Sequence, residues 1–156
     1  MMKKNKPFWY LLAAVFVLFF LGIWEMPVYI LDEAKNAECA REMWEKGDLI
    51  VPTFNDALRA DKPPLAYFFM MLSYSIFGVS AFAARFFSAL FGVCTVYATF
   101  YYTKEALGRP IAIWAGLVLL ASLHFLFQFH LAVPDPYLIA CITIAVFAFQ
   151  SGLQKT

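Results

Sequence analysis

Long apolar runs, broken by brief polar punctuation and by one extended polar stretch, set the pattern of this chain. The first run, Phe8–Trp24, is 17 residues without a charge. As a helix it reaches about 25 Å, just enough to span a bilayer. Lys3, Lys4 and Lys6 precede it, and Trp24-Glu25-Met26-Pro27 ends it. A cleaved signal peptide has a shorter apolar core and a small-x-small cleavage site, so the run reads as an uncleaved signal-anchor. The lysines place the N-terminus in the cytoplasm and residue 25 onward outside. Ala81–Thr103, Ile111–Leu131 and Tyr137–Leu153 predict three further spans, with turns at Lys104–Arg109 and Pro134-Asp135-Pro136. Leu65–Phe77, ended by Gly78, makes a helix of about 20 Å, too short to cross comfortably.

The polar stretch 25–63 carries a helix of its own. Asp32 is a good N-cap, Glu33 and Glu38 suit the early turns, and Gly47 is a good stop. Ala37, Ala40 and Trp44 recur at helical spacing and face either the membrane surface or protein. Glu42 and Lys46 form an i,i+4 pair on the wet side. Asp48–Asp61, with Pro52, Asn55 and Asp56, reads as irregular. Lys62-Pro63-Pro64 opens the next helix, because proline suits the first turn.

Charge decides how the short segment lies. If Leu65–Phe77 crosses, Lys104, Arg109 and Lys155 lie outside. If it dips in or rests at the interface, those cations are cytoplasmic and the turn at 130–136, without Lys or Arg, lies outside. The positive-inside rule and the length both favour the second arrangement. It puts Asp135 on the same side as Asp32. The fold class is therefore all-α integral membrane: four transmembrane helices (8–24, 81–103, 111–131, 137–153), a juxtamembrane or re-entrant helix at 65–77, and an outer loop, 25–63, with an amphipathic helix.

Composition agrees. Hydrophobic residues make up 63% of the chain and charged residues 15%, against about 45–50% and 25% for soluble domains. Residues 25–62 hold 14 of the 23 charged side chains, net −4. The whole chain carries +1, which leaves no basic excess for nucleic acid. Cys39, Cys94 and Cys141 lie far apart without a CxxC, so neither a zinc knuckle nor a redox pair is indicated.

If Asp32-Glu33, Asp61-Lys62 and Asp135 converge, they make an acidic pocket with one or two cations at headgroup depth. Lys35 lies on the helical face of Asp32. Carboxylates there act as a general base or hold a divalent ion, and lysine holds a lipid phosphate. The plainer reading makes Asp32 and Asp135 N-caps and Asp61-Lys62 a solvated pair. Asp32 and Lys62 as one site should approach within about 10 Å, beyond which exposed charges scarcely sense each other. His124 and His130 are separated by about 240° around a helix and share no ligand face. His124 reads as a buried, hydrogen-bonded residue, and His130 as a metal-ligand candidate. Arg85, one turn into a span, is either functional or a snorkelling cation.

Asp32-Glu33-Ala34-Lys35, Gly47-Asp48, Val51-Pro52, Asp61-Lys62-Pro63-Pro64, Phe77-Gly78-Val79-Ser80 and Ala83-Ala84-Arg85 follow one another in a specific order. That order resembles the N-terminal part of a bacterial membrane glycosyltransferase of the polyprenyl-phosphate-sugar-dependent GT-C superfamily. The branch is that of aminoarabinose-lipid A transferases and protein O-mannosyltransferases, and the likeness covers about residues 8–154. It implies transfer of a sugar from a polyprenyl-phosphate carrier to a lipid A-like, glycan or protein acceptor, on the outer face of the bacterial cytoplasmic (inner) membrane. By resemblance, Asp32 serves in catalysis or metal binding, Asp135 is a second catalytic acidic residue, Lys35 and Lys62 contact the donor phosphate, and Asp61 is a candidate ligand of a divalent metal ion, with Glu33 beside Asp32 as a further metal candidate from the carboxylate pairing. Asn36 departs from an aromatic, and Val133-Pro134 from an Arg and a small polar residue. Such enzymes have about a dozen spans, so the chain reads as an N-terminal module awaiting a C-terminal portion or second subunit. Its rivals are a non-catalytic membrane subunit and a transporter component with Asp135 and Arg85 on an ion path.

Overall fold

A computed structural model of the chain describes residues 6–28 and 31–153, with side chains from residue 12 onward. The elements are α1 (Lys6–Phe20), α2 (Asp32–Lys46), a two-strand hairpin of β1 (Thr53–Phe54) and β2 (Ala57–Leu58), α3 (Leu65–Phe77), α4 (Ala81–Leu107), α5 (Arg109–Ala121), α6 (Leu123–Phe129) and α7 (Asp135–Leu153). Lys3, Lys4 and Lys155, which carry part of the orientation argument, lie outside the described residues.

Helices α4 and α7 are each long and apolar enough to cross a membrane, and α5 with α6 adds a third crossing only if the bent pair is one span. Four spans are not established among the described residues, because α1 is helical over only 15 of them. After Phe20 the backbone turns at Gly22, with φ +78°. The expected straight helix Ile111–Leu131 is corrected too: it breaks at Ser122, where its course bends by 73°. Ser122 is extended at φ −78°, ψ 106°, and its hydroxyl accepts from the Phe125 N–H. A serine that caps a new helix cannot also continue the old one.

Several ends follow the sequence logic. Ser80 accepts from the Ala83 N–H at the start of α4. Gly47 ends α2 in the left-handed region at φ 68°, its N–H donating to the Met43 and Trp44 carbonyls. The segment expected to be irregular contains the hairpin. Thr53 pairs with Leu58 and Phe54 with Ala57, across a turn in which Asn55 and Asp56 have φ of 51° and 62°. Two successive positive φ values give the turn whose twist suits a two-residue hairpin.

The interior has two centres. One joins α2, α3 and α4 with the 130s turn through Ala40, Met43, Tyr67, Met70, Tyr74 and Ala84. The apolar stripe of α2 thus lies on protein, although Trp44 stays 42% exposed. The other joins α1, α4 and α6 around Phe19, which is fully buried edge-on against Phe125 and Phe129. Gly92 of α4 makes room there: a Cβ would come within 2.7 Å of the Phe19 ring.

Candidate functional site

The N-terminal ends of α2, α3 and α7 converge on one cavity of about 400 Å3. Asp32, Lys62 and Asp135 supply its charged walls; Leu65, Val133 and Leu138 are among its apolar ones. Lys62 Nζ lies 3.6 Å from Asp32 Oδ2, and the Asp32 side chain is 63% exposed. A pair so open to water is worth about 0–1 kcal/mol, so a ligand can take over either partner at little cost. An ammonium has three donors, and its contact with Asp32 leaves capacity for an incoming anion. Asp135 begins α7 and accepts from Gln128 Nε2 at 2.6 Å.

The N-cap reading of Asp32 is not what the structure shows. The cap position is Leu31, at φ 87° and without a side-chain cap bond. Asp32 is the first helical residue, and its carboxylate turns to Lys62. Nor do Asp61 and Lys62 form a pair: Asp61 Oδ1 meets Arg59 Nε at 2.9 Å. Lys35, further along α2, is not among the residues that line the cavity.

Glu33, expected as a candidate metal ligand, is not among the residues that line the cavity. It is 2% exposed and Arg85 3%. Arg85 Nε donates to Glu33 Oε1 at 2.6 Å and Nη2 to Oε2 at 2.8 Å. The remaining Arg85 donors reach the carbonyls of Ile23, Met26 and Pro27 at 2.7–3.1 Å. Glu33 Oε1 also accepts from the Ala132 N–H at 2.9 Å. Both oxygens of Glu33 are thus engaged by strong donors. Arg85 therefore neither snorkels nor faces an ion path. Among the described residues no three His, Cys, Asp or Glu side chains gather into a metal-binding group.

Asn36 extends this buried layer. Its Nδ2 donates to the Ala132 carbonyl at 3.4 Å, and its Oδ1 accepts from Arg59 Nη1 at 3.2 Å. Asn36, Arg59, Gln128 and Ala132 are polar partners that sequence reasoning missed. Only Asn36 gave a signal, as a polar residue where an aromatic was expected.

Glu42 is not on a wet face. It anchors the hairpin turn, accepting from the Asn55 N–H at 2.6 Å, the Asp56 N–H at 3.3 Å, Lys46 Nζ at 3.2 Å and the Thr53 hydroxyl. The Thr53 hydroxyl above all, then Lys46 and the two N–H groups, hold its pKa down to about 2 against the opposing effect of desolvation. His124 is exposed, against the expectation of a buried residue. His130 Nδ1 is engaged by the Leu126 carbonyl at 2.7 Å, and its ring stacks on Phe19.

The fold is that of solved relatives. The chain superposes with a TM-score of 0.83 on the crystal structure of ArnT from Cupriavidus metallidurans bound to undecaprenyl phosphate, at 24% identity over 90% of this chain and 26% of that one. In sequence it is 35% identical to the undecaprenyl phosphate-alpha-4-amino-4-deoxy-L-arabinose arabinosyl transferase of Yersinia pestis, over 91% of this chain and 27% of that protein. It is 33% identical to an uncharacterized protein of Aquifex aeolicus, over 96% of this chain and 35% of the relative. The chain thus spans about a third or less of the length of the curated relatives it matches. Residues 61–156 match the family described as dolichyl-phosphate-mannose-protein mannosyltransferase, and with more than half its length inside that match the chain belongs to this family of glycosyltransferases.

Proposed function

We propose that the chain forms the N-terminal membrane part of a glycosyltransferase that takes a sugar from a polyprenyl-phosphate carrier, and that the cavity between α2, α3 and α7 receives the carrier's phosphate end. The observation that carries this reading is the placement of Lys62 beside Asp32 in the wall of an otherwise largely apolar cavity. An ammonium with spare donors suits a phosphate, and apolar walls suit the isoprenoid behind it. The solved relative bound to undecaprenyl phosphate, which shares the fold, supports the same ligand class.

In this reading the acceptor hydroxyl attacks the anomeric carbon, and the bond from that carbon to the phosphate oxygen breaks. The electron pair leaves on the polyprenyl phosphate, whose charge Lys62 balances. Asp32 takes the acceptor proton, a role that its exposure to the cavity permits and that a general base requires. Asp135, held by Gln128, orients the acceptor from the opposite wall. A phosphate acceptor, as on lipid A, needs no base, and then Asp32 serves to position Lys62. We place the cavity on the outer face of the bacterial cytoplasmic membrane, with the Lys104–Arg109 turn on the cytoplasmic side. The rest of the donor and acceptor sites belongs to the spans that longer relatives add.

The test is binding of radiolabelled undecaprenyl phosphate to the purified chain in lipid nanodiscs. Saturable binding that weakens in Lys62→Ala and survives in Lys104→Ala supports the reading. Equal binding by all three proteins, or none by the parent, overturns it.

A further inference from the structure

The cavity's two carboxylates sit on different helices, α2 and α7. Besides the apolar packing around Tyr137, a polar layer joins them one layer deeper. Ala132, three residues before Asp135, is gripped at both of its backbone groups by α2. Its N–H donates to Glu33 Oε1 at 2.9 Å and its carbonyl accepts from Asn36 Nδ2 at 3.4 Å. Glu33 directly follows Asp32, and Asn36 is one turn further along the same face. Arg85 fixes Glu33 with two bonds and anchors itself on three carbonyls of the chain that follows α1. Arg59, three residues before Lys62, joins the layer through Asn36 and also reaches Cys39 Sγ at 3.4 Å.

We propose that Glu33, Asn36 and Arg85 form a positioning clamp on Ala132 that sets the gap between Asp32 and Asp135, and through Arg59 the place of Lys62. None of the three clamp side chains lines the cavity, so each is a positioning residue. The burial of all three, at 0–3% exposure, excludes the water that would otherwise compete for these bonds. It also makes each lost partner costly, since an orphaned group is left in the interior. The clamp's importance for sugar transfer rests on the reading of the cavity given above; its geometry does not.

Cys141 lines the cavity and is exposed, whereas Cys39 is fully buried. In a Cys94→Ser background, an Asp32→Cys substitution therefore leaves two reactive thiols at the cavity, one on α2 and one on α7. The experiment measures their crosslinking by a short bifunctional maleimide, on the intact chain in nanodiscs at low temperature. Glu33→Gln and Asn36→Asp are then added singly. Glu33→Gln keeps the shape of the side chain but removes its charge. Asn36→Asp keeps an acceptor for Arg59 but cannot donate to the Ala132 carbonyl. Each should slow crosslinking about tenfold, the change expected for loss of one charge-assisted or buried hydrogen bond, with helical content and elution volume unchanged. A merely structural role would lower the melting temperature and leave the crosslinking rate of folded chains at the parent value; that result in both variants overturns the proposal. Slowed crosslinking in chains whose parent fails to bind undecaprenyl phosphate would support the clamp and overturn the reading of the cavity as a transfer site.

Discussion

Lys62 and Asp32 are adjacent charges with different consequences when removed. Lys62→Ala should weaken undecaprenyl phosphate binding about tenfold or more, because a hydrogen bond to a charged group contributes roughly 1.5–3 kcal/mol. Asp32→Asn should leave that binding largely intact. With a hydroxyl acceptor it should slow transfer by about 10²–10⁴, the usual contribution of a general base, as read by radiolabelled sugar release in membranes that carry the full enzyme. Glu42 gives a pH prediction. Its carboxyl is held down to about 2 in the folded chain, from an ordinary value of 4.5. A depressed acid pKa means that the unfolded state binds the proton more readily. The stabilisation is therefore present above about pH 4.5 and is lost as pH falls toward 2. Protection of the Asn55 and Asp56 amides, taken relative to the intrinsic exchange rate at each pH, should fall over that window, and Glu42→Gln should show the lower protection already at neutral pH. The approach of Asp32 and Lys62 was expected because each residue opens a helix on the outer side and because both match motif positions of the family that the sequence resembles. Sequence reasoning missed the inward turn of Glu42, since i,i+4 spacing to Lys46 is equally satisfied by a buried anchor and by a surface pair.

At the level of elements, local chemistry made the ends legible and tertiary contacts made the bends illegible. Gly47, Gly78 and Ser80 end or begin helices by their own conformational and capping preferences. Ser122, by contrast, sits in a uniformly apolar run where a straight helix and a broken one have the same hydropathy. The hairpin was hidden for a similar reason, because Asn55-Asp56 lacks the glycine that usually marks such a turn. Helix α1 meets α4 where Gly92 admits the Phe19 ring, which Phe125, Phe129 and His130 enclose. Gly92→Ala should therefore overpack this contact, at a cost of about 1–3 kcal/mol. A lower melting temperature in detergent checks it, and Gly152→Ala, where a Cβ meets nothing within 4 Å, should leave that temperature within error.

For the molecule as a whole, hydropathy and charge together carry a topology. Helix α4, of 27 residues, and α7, of 19, run between the cavity end and the Lys104–Arg109 end. In a cysteine-free background, Asp48→Cys should react with an impermeant maleimide added to whole cells. Ala106→Cys should react only after permeabilisation, and the reverse pattern would invert the proposed orientation. The membrane class was readable from the order of apolar runs, whereas the convergence of three distant loops was only one of two readings that the order allowed. The polar layer behind the cavity was not readable, because it forms between residues 20 to 99 positions apart, and no local pattern encodes such a meeting.

That separation has a consequence for biogenesis. The carbonyls of Ile23, Met26 and Pro27 and the carboxylate of Glu33 leave the ribosome long before Arg85, 52 to 62 positions later. Until α4 enters, burying these acceptors would strand a charge in an apolar interior. The early part of the chain must therefore stay in contact with water or with the insertion machinery while α2 and α3 are made. The arrival of a single guanidinium then closes the early segments together, so that the arginine works as the late fastener of a co-translational assembly.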